Sequence, residues 1–225
     1  MTFTLVKENV AQICIDSHAA DYKGLKHVAK ILAGDILTVT GKEPEIVEQI
    51  QNVPQIVAAT KGTSDILAKW EKEKKIDLSV LEGKREVFMV QLIEEDGAEK
   101  LVIVGTETIA TLYGLYYISE NIGVSPWVYW ADVVPAPKKE IVFDKSICTV
   151  SKEPSVRYRG FFMNDEWPSL GNFVMNTFGD FNEFFYEKVF DLLLRLKGNY
   201  FWPAMWSASL PLDGSEDPLA ILKLG

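Results

Sequence analysis

An Asp96-Gly97 pair sits between two apolar, β-branched runs, residues 86–93 and 100–104. Asp-Gly accepts the positive φ angles of a tight hairpin turn, so these runs are expected to pair antiparallel. Elsewhere in the first 150 residues, strand-like and helix-like segments alternate. Residues 11–15 and 54–60 read as strands. Leu25, Val28, Ala29, Leu32 and Ile36 share one helical face, and Gly41 is placed to end that helix. Ser64 is placed to cap a helix over residues 65–74, with Ile66, Leu67 and Trp70 as its apolar side. A third helix is expected over 108–121, ended by Gly123. Short strands are expected at 127–130 and 140–143, with an exposed Pro-containing connection between them. Alternation alone would imply a parallel sheet. The hairpin changes this to a mixed-sheet α/β domain.

Aromatic content then separates this region from the rest. Residues 1–150 hold 11 aromatics, and residues 151–225 hold 15 in half the length. A boundary near residue 150 follows, with domains 1–150 and 151–225. The second part reads as a strand at 156–163, a loop, a helix from Asp180 to about Lys197 ended by Gly198, a strand at 199–205, and another helix start. Asp180 and Glu183 supply a capping pattern for the helix. This is one and a half to two β-α units, the beginning of a (β/α)8 barrel. A complete barrel needs about 250 residues. The expectation is therefore the front piece of a longer protein, with a truncated barrel.

Composition removes several function classes. Net charge is −9 over 225 residues, with short basic runs flanked by acids, so no nucleic-acid footprint is expected. No apolar run approaches a membrane span, and the start lacks signal-peptide character, so a cytoplasmic location is expected. Two cysteines and two histidines build no zinc pattern. Cys14 and Cys148 each lie in apolar, strand-like runs and read as buried free thiols. No cofactor or metal is expected.

Three segments can carry chemistry. Asn164, Asp165, Glu166 and Trp167 follow a strand, where barrel enzymes place functional groups. Adjacent side chains on extended backbone point oppositely, so Asp165 and Glu166 do not both address one atom. An acidic structural turn and a functional carboxylate both remain open. The segment from Asn199 to Trp206 is aromatic-rich, and its rings read either as core or as platforms for sugar rings. Trp202 and Trp206 are the candidates, with Trp206 furthest into the loop. The segment Gly105-Thr106-Glu107-Thr108 lacks a phosphate-loop pattern and reads as a helix cap.

Several long stretches resemble the N-terminal region of glycoside hydrolase family 115, the xylan α-1,2-glucuronidases. They are residues 112–127, 129–133, 156–166, 184–199 and 202–205, including Gly123-Val124-Ser125-Pro126-Trp127 and Asn164-Asp165-Glu166. The resemblance implies an N-terminal α/β domain followed by a catalytic barrel. It implies release of glucuronic or 4-O-methylglucuronic acid from xylan, with inversion, without a metal, and by a homodimer. Glu166 matches a position in the family's sugar site, and Asn199 and Trp202 match the second barrel strand. The substrate-binding candidates are thus Asn164, Asp165, Glu166, Trp167, Asn199, Trp202 and Trp206.

Glu107 and Thr108 stand where the family usually has basic residues, and the loop after Trp206 departs from the family pattern. The family's main acid and base lie beyond the position of Gly225, so the 225 residues alone are expected to be inactive. Two rival readings are a carbohydrate-binding or docking module, and a fragment of a related barrel glycosidase of family 67 or hexosaminidase type.

Overall fold

The computed structural model describes residues 2–16, 18–164 and 166–203. The chain forms two compact units, Met1–Ser155 and Val156–Gly225.

The first unit is built on a six-stranded mixed sheet. Its strands, in chain order, are β2 (Gln12–Ile15), β3 (Ile46–Val47), β4 (Gln55–Thr60), β5 (Phe88–Glu95), β6 (Ala98–Gly105) and β8 (Thr149–Val150). Their spatial order is β3-β2-β4-β6-β5-β8. The first four run parallel, while β5 is antiparallel to β6 and to β8. Asp96 (φ 52°) and Gly97 (φ 79°) turn the β5–β6 hairpin as the sequence requires. Every residue of β4 is buried, as expected of a central strand covered on both faces.

Helices α1 (Tyr22–Thr40) and α3 (Thr108–Ile122) pack against each other. Gly114 lets α3 approach the sheet: a Cβ there would lie 2.3 Å from Ile103 Cγ2. Helix α2 (Asp65–Lys72) contributes Leu67 and the fully buried Trp70 to a cluster with Cys14, Val57, Ala59, Val102 and Val104. Leu78 and Leu81, from a short 3-10 turn, complete it. Alternate residues of the parallel strands thus feed two apolar layers. A separate antiparallel pair joins β1 (Phe3–Val6) to β7 (Ile141–Phe143). β1 had no clear signal, because four residues are too few to display a period.

Some local expectations are corrected. Residues 127–130 are not a strand. Ser125 Oγ accepts from Trp127 N–H, and Ser125 O accepts from Val128 N–H, so turn chemistry overrides the β-propensity of Trp, Val and Tyr. Ser64 occupies the N-cap of α2, yet its hydroxyl donates to Asp16 Oδ2 at 3.0 Å instead of capping. Cys148 is exposed, because it leaves a short 3-10 turn before the two-residue edge strand β8.

The second unit has a parallel pair, β9 (Gly160–Phe162) and β10 (Tyr200–Trp202). Two helices join them, α4 (Ser169–Phe178) and α5 (Glu183–Arg195). The stretch expected to be a loop therefore contains a helix. Its apolar spacing, Leu170, Val174 and Phe178, is helical, but Asn, Thr and Gly residues dilute the signal. The cap of α5 is Asn182, which accepts from Phe185 N–H at 3.2 Å, rather than Asp180. Lys197 takes the left-handed conformation at the helix end (φ 57°). Gly198 serves close approach instead: its Cβ would lie 2.4 Å from Leu193 Cδ1.

Candidate functional site

Gly160 determines how the second unit assembles. A Cβ at this position would lie 1.5 Å from the Tyr200 carbonyl oxygen. Without it, the strands pair in the register Gly160↔Tyr200, Phe161↔Phe201 and Phe162↔Trp202. Met163 N–H extends the pairing to Trp202 O at 3.0 Å. Because the strands are parallel, their C-terminal ends lie on one edge. Asn164, Glu166 and Trp167 follow β9 beyond that edge, and Trp202 and Pro203 lie at the end of β10.

Alternation then sorts the aromatics. Phe161 and Phe201 face each other edge-on at 6.0 Å, and Phe201 meets Phe190 (5.3 Å) and Tyr186 (6.1 Å) of α5. These rings pack against one another, with Tyr186 buried and the three phenylalanines half-buried. Phe162 and Trp202 point the other way and form an edge-to-face pair at 5.9 Å, each about half exposed. Tyr158 and Tyr200 form a similar exposed pair. The strand faces thus differ: Phe201 is half-buried against α5, while Trp202 on the opposite face is 50% exposed.

Glu166 is exposed, and its carbonyl accepts from Gly171 N–H at 3.2 Å, tying the acidic turn to the start of α4. Trp167 is 62% exposed. Asn199 is placed differently from the other candidates. It lies at the N-terminal end of β10, where its Oδ1 accepts from Arg159 N–H (2.9 Å) and its Nδ2 donates to Arg157 O (2.8 Å). Its amide pins the approach to β9, away from the edge that carries Glu166. Arg159 adds to this brace by donating from Nε to Lys197 O (3.0 Å). Asp165 and Trp206 lie outside the described residues.

The first unit has its own polar cluster, which single-residue reading missed. Strand order reverses between β2 and β4, the place where open α/β sheets commonly bind ligands. There Thr60 Oγ1 donates to Asp21 Oδ2 (2.5 Å) and shares a hydrogen bond with Thr111 Oγ1 (2.7 Å). Thr108 also donates to Asp21 (3.1 Å), and Asp16 accepts from Ser64 Oγ and His18 N–H. Asp21 thus locks the start of α1 to β4 and α3, while Asp16 ties the end of β2 to the start of α2. The expected cap at Gly105–Thr108 belongs to the same lock. Glu107 holds the N-cap position of α3 without a side-chain cap, and its carboxylate accepts from Glu86 N–H at 2.7 Å. Among the described residues no cluster of three or more His, Cys, Asp or Glu is arranged to hold a metal ion, and no helix is long and apolar enough to cross a membrane.

The sequence profile of Glycosyl hydrolase family 115 matches residues 151–221, the stretch that contains this edge. The solved structure of BtGH115A, a novel family GH115 4-O-methyl-α-glucuronidase with specificity for decorated arabinogalactans, matches over 99% of the chain at 31% identity and a TM-score of 0.80. The chain matches the N-terminal portion of glycoside hydrolase family 115. It spans 28% of the length of BtGH115A. The structure of CpGH84D aligns over 72% of this chain and 23% of its own, at 12% identity and a TM-score of 0.45, too low to inform the reading. No curated protein matches the chain significantly. The family 115 match covers both units, and its profile lies on the unit that carries Glu166, Trp167 and Trp202.

Proposed function

We propose that the chain is the front part of a glycoside hydrolase that releases glucuronic or 4-O-methylglucuronic acid from a plant polysaccharide by inverting hydrolysis. The observation that supports this reading is the parallel pair β9–β10 within the family 115 match: Asn164, Glu166 and Trp167 follow β9, and Trp202 ends β10. In this reading β9, α4, α5 and β10 begin a (β/α)8 barrel, whose functional groups lie where the strands end.

The chemistry assigns limited work to these residues. Inversion needs two carboxyl groups about 6.5–9.5 Å apart, so that water fits between one of them and the sugar. The acidic turn supplies carboxylates on neighbouring residues, which favours Glu166 in sugar binding over a complete acid–base pair. The 225 residues alone therefore bind a uronoside without hydrolysing it.

Xylan is the substrate suggested by the sequence resemblance, and decorated arabinogalactan is the one named for BtGH115A. Both bear the same α-linked uronic acid in this reading. The test is incubation of the 225-residue chain with glucuronoxylan and, separately, with glucuronic acid-decorated arabinogalactan. Free uronic acid and bound oligosaccharide are both measured. Binding without release is expected. Release of uronic acid would overturn the inactivity of the chain, and failure to bind either glycan would overturn the site. A preference in binding identifies the polymer.

A further inference from the structure

Trp167 differs from the other exposed aromatics in what lies beneath it. A Cβ on Gly171, in the first turn of α4, would sit 2.6 Å from both Cδ2 and Cε2 of the Trp167 indole and 3.0 Å from Cγ. The fused edge of the ring system therefore rests on the Gly171 backbone, in the space a side chain would fill. Gly171 itself is buried, while Trp167 remains 62% exposed. The chain also closes on itself here: Gly171 N–H donates to Glu166 O (3.2 Å), and Asn172 N–H donates to Pro168 O (3.3 Å). The indole is seated on one side and presented on the other, directly after Glu166.

Exposing most of a tryptophan forfeits the burial that usually repays so large an apolar ring. A free indole would relieve part of that loss by swinging onto the protein. The glycine seat holds it in place instead, so little ordering remains to be done when a ligand arrives. A pyranose ring suits such a surface, because one face carries mainly C–H groups while hydroxyls line its edge. Glu166 is adjacent and exposed, and it supplies an acceptor for those hydroxyls.

We propose that Trp167, seated on Gly171, is a one-faced stacking platform that takes a single pyranose ring at the C-terminal edge of β9. Gly171 is a positioning residue that acts through the indole. The assignment rests on the carbohydrate-site reading above and adds how the ring is held. The pyranose comes either from the uronic acid or from the polysaccharide backbone, and the two probes below separate these sources.

The experiment is ligand-observed saturation-transfer NMR and affinity titration of the 225-residue chain, with methyl 4-O-methyl-α-D-glucuronoside as one probe and xylotriose as the other. Trp167→Ala is expected to weaken binding about fivefold or more, the scale of an aromatic stacking contact. Trp167→Phe retains part of it. Gly171→Ala keeps the indole but unseats it, and is expected to weaken binding to a similar degree. Trp127→Ala, an exposed tryptophan in the first unit, is expected to change nothing. Far-UV circular dichroism of each variant checks that the fold is retained. Wild-type binding that survives Trp167→Ala at full strength overturns the platform and leaves the carbohydrate-site reading standing. Absence of wild-type binding to both probes overturns that reading, and the platform with it. Loss in Trp167→Ala with no loss in Gly171→Ala overturns the glycine seat.

Discussion

Glu95 ends β5 beside the Asp96-Gly97 turn, and only 2% of its side chain is exposed. Lys69 of α2 approaches it at 2.7 Å, and Lys75, just beyond α2, forms a second ion pair with it. Burial alone would push this carboxyl up. The two ammonium groups outweigh burial and hold it down at about 2, against an ordinary value of 4.5. Each pKa unit is worth about 1.4 kcal/mol of differential stabilisation, so the full shift corresponds to roughly 3.5 kcal/mol. The side chains of Lys69 and Lys75 are 55% and 35% exposed, so solvent screening reduces this to about 2 kcal/mol. Glu95→Gln is expected to lower the stability of the first unit by that amount at pH 7. The folded-state pKa is depressed, so the contribution is fully present above about pH 4.5. It is lost as pH falls from there through about 2, below which the carboxyl is protonated in both the folded and the unfolded state. The assay is hydrogen-exchange protection of β6 amides, compared between wild type and Glu95→Gln at pH 7, 4.5 and 3, with chemical unfolding at pH 2. A difference that stays constant across this range, or stays below about 0.5 kcal/mol at pH 7, would refute the ion-pair account.

Gly160→Ala is expected to break the β9–β10 pairing, because its Cβ has no room beside Tyr200 O. The measurement is loss of exchange protection at Met163 N–H, with the first unit unaffected. Asn182→Ala removes the cap of α5 and is expected to cost about 1 kcal/mol, whereas Asp180→Ala costs clearly less. Thermal unfolding of the two variants side by side tests this, and equal losses would argue against Asn182 as the cap. In thiol labelling of the native chain, Cys148 is expected to react promptly. Cys14 is expected to react only on unfolding, since burial pushes its thiol up to about 12. Prompt labelling of both would contradict the placement of Cys14 in the core.

Elements with a long period or strong punctuation were legible in advance. The α1 and α3 faces, Gly41 and Gly123 as left-handed helix ends, and the Asp96-Gly97 hairpin all follow from spacing and backbone preference. Elements defined by partners were not. β1, β3 and β8 are two to four residues long and exist because another strand pairs with them. Polar residues mask the helical period of α4, and residues 127–130 depart from their β-propensity because a serine hydroxyl competes successfully for the backbone. At the candidate site, the acidic and aromatic residues could be named from their order along the chain. Their grouping could not, because it depends on which strand end lies beside which.

The sequence by itself determined a mixed α/β architecture, a change of character near residue 150, and the residue types available for sugar binding. It did so because hydrophobic period and turn chemistry are local properties. Tertiary structure alone decided that Asn199 braces the far end of β10, that Asp21 and its threonines satisfy one another, and that Trp202 and Trp167 are presented on exposed surface. Those outcomes turn on distances between residues far apart in the chain, such as the approach of Tyr200 to Gly160, which depends on chain folding as well as on local preference.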